Sequence, residues 1–115
     1  MPEKLSSEDQ WEAMRLNTNV RSAQSFVDSD QQQIDFLDNS LQINKEHGAS
    51  RKFIVDLENR RGRHASKRGE WSDKRDANLW RAQQHKNEHF EEYVETARQE
   101  AEEQGIHINL EQPKE

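Results

Sequence analysis

The stretch Ser72–Gln104, SDKRDANLWRAQQHKNEHFEEYVETARQEAEEQ, contains neither glycine nor proline. Its spacing predicts one long helix over about 73–104, roughly 48 Å at 1.5 Å per residue. Leu79, Trp80, Phe90, Tyr93, Val94, Ala97 and Ala101 supply its apolar positions. Phe90, Val94, Ala97 and Ala101 keep the spacing of a coiled-coil seam. A periodic helix longer than about 25 residues points to a coiled coil or a long hairpin arm. Gly105 stands where a helix-ending glycine belongs, with Ile106 able to pack back on Ala101.

Upstream the helical signals are shorter. Ser7 and Gln10 have capping-box spacing, and Trp11, Met14, Ala23, Phe26 and Val27 largely follow a 3.6-residue period. Asn17-Thr18-Asn19 is a poor helix former, and Val27-Asp28-Ser29-Asp30 looks like a junction. A second helix then carries Ile34, Leu37 and Leu41 on one face, up to a stop at Gly48. An uninterrupted helix from 7 to 46 is the alternative. Ser50 caps a short third helix over 51–61 that buries Phe53, Ile54 and Leu57. Residues 62–71, bracketed by Gly62 and Gly69, read as a basic connection. The expected fold is all-α, with short N-terminal helices packed on one long C-terminal helix. Ile106-His107-Ile108-Asn109-Leu110 alternates apolar and polar, as an extended tail or an added strand would.

Composition sets how thick such a fold can be. Leu, Ile, Val and Phe make up about 17 % of the 115 residues, 35 % are charged, and the mean hydropathy is −1.37. Little apolar area is available against a backbone entropy cost of about 1–2 kcal/mol per residue. Three tryptophans, Trp11, Trp71 and Trp80, argue against full disorder. The expectation is a single thin helical domain over 1–115, completed by self-association, with 1–5 and 111–115 disordered. There is no cysteine, hence no disulfide and no thiolate chemistry. The N-terminus lacks the apolar stretch of a signal peptide, and Phe53-Ile54-Val55 is the longest apolar run, far too short for a membrane span. A cytoplasmic location is expected.

The charge is sorted. Residues 1–50 carry about −5, 51–86 about +6 and 87–115 about −7. The basic segment offers Arg60, Arg61, Arg63, Lys67 and Arg68 as candidate phosphate contacts, with Trp71 and Trp80 available for stacking. The same cations can instead neutralise the chain's own acidic helices. The run Glu88, Glu91, Glu92, Glu95, Glu100, Glu102 and Glu103 reads first as a solvated face.

His85-Lys86-Asn87-Glu88-His89 has the letters H-x-x-E-H. It resembles the inverzincin protease signature, which implies two zinc-binding histidines and a water-activating glutamate. The resemblance covers five residues, so a solvated, mixed-charge helix face is the expected reading. If a metal site forms, the spacing nominates His85, His89 and Glu92 on one helix face. No nucleophile elbow, phosphate loop or dinucleotide fingerprint is present. The expected function is therefore non-enzymatic and without a cofactor. The chain reads as a small adaptor or regulator that binds protein through Trp80, Phe90, Tyr93, Val94, Ala97 and Ala101. The alternative is a nucleic-acid-associated regulator using residues 51–81.

Overall fold

The computed structural model describes residues 3–105, and these form three helices and no strand. Helix α1 spans Ser7–Glu46, α2 spans Arg51–Glu88 and α3 spans Phe90–Glu103. The first two pack against each other as an antiparallel hairpin. The molecule is a rod of 72 × 29 × 28 Å with a radius of gyration of 22.7 Å. A compact chain of this length would have about 13 Å. No helix among the described residues is long and apolar enough to cross a membrane.

Helix α1 is the uninterrupted form. Its buried residues are Leu16, Ala23, Asp30, Ile34, Leu37 and Leu41, and with the half-buried Asp9, Ala13, Val20 and Val27 they follow alternating steps of four and three. That is the heptad seam of a two-stranded coiled coil. The period runs straight through 17–19 and 28–30, so neither breaks the helix. Asn17 and Thr18 face solvent, where poor propensity costs only a few tenths of a kcal/mol each, on the order of the scale's spread. Asp30 is turned into the seam rather than capping a new helix. The N-cap is Ser6, one residue earlier than the spacing suggested: its Oγ accepts from the Asp9 amide at 3.1 Å.

The turn forms as the local signals indicate. His47 caps α1, Gly48 takes φ +70°, and Ser50 Oγ accepts from the Phe53 amide at 3.3 Å to open α2. Leu37, Leu41 and Leu57 form the core beside this turn, with Ile54 packed against them.

Two expectations fail in α2. The stretch 62–71 is not a connection but the middle of the helix, and the short helix over 51–61 does not stop at Gly62. Both glycines sit on the exposed side, with open space where a Cβ would stand. The seam of α2 is Ile54, Leu57, Arg61, His64, Arg68, Trp71, Arg75, Asn78, Ala82, His85 and His89, again in steps of three and four. It holds the helical period but fills it mostly with polar residues. Arg61, Arg68 and Arg75, seven apart, reach across to Asp38, Gln31 and Gln24, themselves seven apart. His64 Nδ1 meets Asp30 Oδ1 at 3.0 Å, and Phe26 stacks on Trp71 with centroids 4.3 Å apart. Arginine stems cover apolar surface while their heads stay hydrogen-bonded, so the rod holds together with few apolar layers.

The single long C-terminal helix is also corrected. Residues 73–104 are split between the second half of α2 and the short α3, and the long helices are the first two. The break is His89, with φ −117° and ψ 31°. Beyond it α3 lies beside the start of α1. The Leu5 amide donates to Thr96 Oγ1 at 2.9 Å, and Thr96 donates in turn to the Glu92 carbonyl. Leu5 is buried, so the expected disorder of 1–5 does not extend to it. Gly105 closes α3 with φ +74°. The tail at 106–110 and the expected disorder at 111–115 lie outside the described residues.

Candidate functional site

The open end of the hairpin brings together groups from three parts of the chain. Asp9 sits in the first turn of α1, three residues after its cap Ser6. His85 is in the last turn of α2, and His89 is the break between α2 and α3. Asp9 Oδ1 lies 3.5 Å from His85 Nε2 and 3.7 Å from His89 Nε2. The three ligand-capable atoms fall within 4.8 Å of one another. The two imidazole rings are tilted by 42° to each other, with centroids 4.8 Å apart.

Each flank of this cluster is anchored. Ser6 Oγ donates to Asp9 Oδ2 at 2.9 Å, which leaves Oδ1 turned towards the histidines. The Ser6 hydroxyl is the main reason the Asp9 carboxyl is held below its usual range; some burial works against it and the charge at His89 adds to it. The Tyr93 hydroxyl lies 2.7 Å from His85 Nδ1. Burial, with the Asp9 charge behind it, pushes the Tyr93 phenol above its ordinary value. His85 Nε2 is buried and makes no hydrogen bond of normal geometry; Asp9 Oδ1, at 3.5 Å, is a long charge contact. Orphaned buried polar atoms are rare in folded proteins and call for an explanation.

Of the metal set read from the spacing on one helix face, the structure keeps His85 and His89 and brings Asp9 to them in place of Glu92. The break at His89 takes α3 off the line of α2, so Glu92 no longer follows His89 on one face. Glu88 is exposed. Asp9 carries no periodic signal linking it to the histidines, because it belongs to the other strand of the hairpin.

The residues read as a partner stripe do not form one stripe. Trp80 is 65 % and Phe90 57 % exposed, Ala97 is exposed, Tyr93 and Val94 are half-buried, and Ala101 is buried. Tyr93, Ala97 and Thr96 instead line a cleft of about 420 Å³ between α3 and α1, facing Met14 and Arg21. The basic segment divides as well. Arg61 and Arg68 reach across to Asp38 and Gln31 of α1, the Arg61 pair at the solvent edge, whereas Arg60, Arg63 and Lys67 point away from α1, with Arg60 3.1 Å from Asp56. The comparisons add no relative from which a role could be carried over: no protein family, no curated protein and no solved structure matches this chain.

Proposed function

We propose that this chain is a non-enzymatic helical hairpin that works by binding protein surfaces, a second copy of itself first among them. The observation that carries the reading is where its apolar side chains lie. The seam of α2 is mostly polar, while Trp80, Phe36, Met14, Trp11 and Phe90 all stand outside the seam, each more than half exposed. Single exposed apolar residues are ordinary. Two tryptophans and two phenylalanines left outside a core this thin favour burial against another chain, since aromatic residues dominate the energy of such contacts. The test is light scattering on a sizing column over a wide concentration range. The wild type should run at a multiple of 13.6 kDa. Trp80→Ser with Phe90→Ser should return it to the monomer mass with its helix content kept. A monomer at every concentration rules out the second copy.

A second reading, a nucleic-acid-associated regulator, is supported by one ridge of α2. Arg60, Lys67, Lys74 and Arg81 recur every seven residues and are all exposed, a spacing of about 10.5 Å along the helix. Phosphate binding by such a ridge should weaken steeply with salt. Neutralising the four residues to glutamine should abolish it, whereas Arg61→Gln, whose guanidinium faces α1, should not.

A further inference from the structure

We propose that Asp9, His85 and His89 form a binding site for one divalent zinc-class cation, which joins the start of α1 to the end of α2. The donor set is two imidazoles and one carboxylate, the combination that suits zinc and its first-row neighbours. The distances agree with that. Bonds of about 2.0–2.1 Å in a tetrahedral site place neighbouring ligand atoms about 3.4 Å apart. The carboxylate oxygen stands 3.5 and 3.7 Å from the two imidazole nitrogens, within a few tenths of an ångström of that spacing, and all three ligand atoms lie within 4.8 Å of one another, so closing the set asks the two imidazoles to turn towards a common centre.

The surroundings fit as well. A metal-bound histidine usually has its other ring nitrogen engaged, which sets the tautomer and aims the lone pair. Tyr93 does this for His85: with Nδ1–H donating to the phenol oxygen, the Nε2 lone pair points at Asp9 and His89. Ser6 does the equivalent for Asp9 by occupying Oδ2. The buried, unpartnered His85 Nε2 then has a partner in the cation. Three protein ligands leave a fourth position for water or another donor.

The cation would also settle the architecture of the open end. The turn end has the leucine core, whereas the open end has Asp9, two histidines and the break into α3. A bond from α1 to both His85 and His89 fixes the last turn of α2 and the angle at which α3 leaves. This inference does not depend on the proposed protein binding, and its test reads metal alone.

The experiment is isothermal titration of zinc ions into the full chain after chelator treatment, with cobalt as a spectroscopic probe. One zinc per chain is expected, with a melting temperature that rises with zinc concentration and the visible absorption of tetrahedral cobalt. Asp9→Asn, His85→Ala and His89→Ala should each abolish stoichiometric binding, with helix content by circular dichroism confirming that the apo variants fold. Tyr93→Phe should weaken binding by about 10–100-fold, as loss of an orienting partner does. Glu92→Gln should leave it unchanged. Absence of zinc and cobalt binding at micromolar concentration overturns the proposal, as does unchanged binding in Asp9→Asn. One metal per two chains, with a metal-dependent doubling of mass, overturns it too, because the site is built within one hairpin.

Discussion

Replacing Asp30 and His64 together by leucine should stabilise the hairpin, while replacing His64 alone should weaken it. The two side chains meet across the seam at 3.0 Å, with Asp30 12 % and His64 30 % exposed. A fully buried leucine contributes about 1.5–3 kcal/mol. Discounted for exposure at the two sites, the pair should contribute about 2.5–4.5 kcal/mol on that scale. Against this stands one hydrogen bond, about 0.5–1.5 kcal/mol if neutral and up to about 3 if charged. The net expectation for the double variant is a gain of about 1–2 kcal/mol, the direction seen when buried polar pairs are exchanged for apolar residues. His64→Leu alone leaves the Asp30 carboxylate buried without its partner. The penalty of about 3 kcal/mol exceeds what a partly exposed leucine returns, so a net loss of about 1–2 kcal/mol is expected. Urea unfolding followed by circular dichroism, at one fixed protein concentration, reads both values. A double variant with a lower midpoint and an unchanged slope would refute the reasoning, since the polar layer would then be a net source of stability.

Two further predictions concern backbone and pH. Gly62→Ala and Gly69→Ala lie inside α2 with open space around them, so each should raise stability by about 0.5–1 kcal/mol. Gly48→Ala at φ +70° should lower it by about 1–2 kcal/mol; urea midpoints should therefore move in opposite directions, and a loss at Gly62 or Gly69 would contradict their exposure. Arg98, with Gln99, holds the Glu95 carboxyl below its usual range. The stability this group contributes is present above its unfolded-state pKa and is lost as pH falls through the lowered folded-state value. Melting temperatures taken from neutral pH into the acid range should fall less steeply for Glu95→Gln, and equal slopes would show that the Arg98 pair contributes nothing.

Signals carried by chain neighbours were legible in the sequence. The all-α class, the Ser50 cap, the stops at Gly48 and Gly105, and the apolar face at Ile34, Leu37 and Leu41 need only local geometry: a hydroxyl three residues from an amide, a residue free to take positive φ, a 3.6-residue period. The Ser6 cap was displaced by one residue because two adjacent serines offer nearly the same spacing.

The middle of α2 was not legible. A hydrophobic period cannot be seen where Arg61, His64, Arg68 and Arg75 occupy the seam, and their basic run between Gly62 and Gly69 imitates a loop. They belong to a helix because α1 lies alongside with Asp38, Asp30, Gln31 and Gln24 at matching intervals. The site followed the same division. His85 and His89 share a helix face by spacing alone, but their carboxylate partner is Asp9 because the hairpin brings the first turn of α1 against the last turn of α2. The sequence by itself determined the Ser50 cap, the stops at Gly48 and Gly105 and the paired histidines, each from interactions within a few residues. Which polar side chains would be buried, and against what, was decided only by tertiary structure, because a charged residue joins a seam only where the opposite helix supplies its partner.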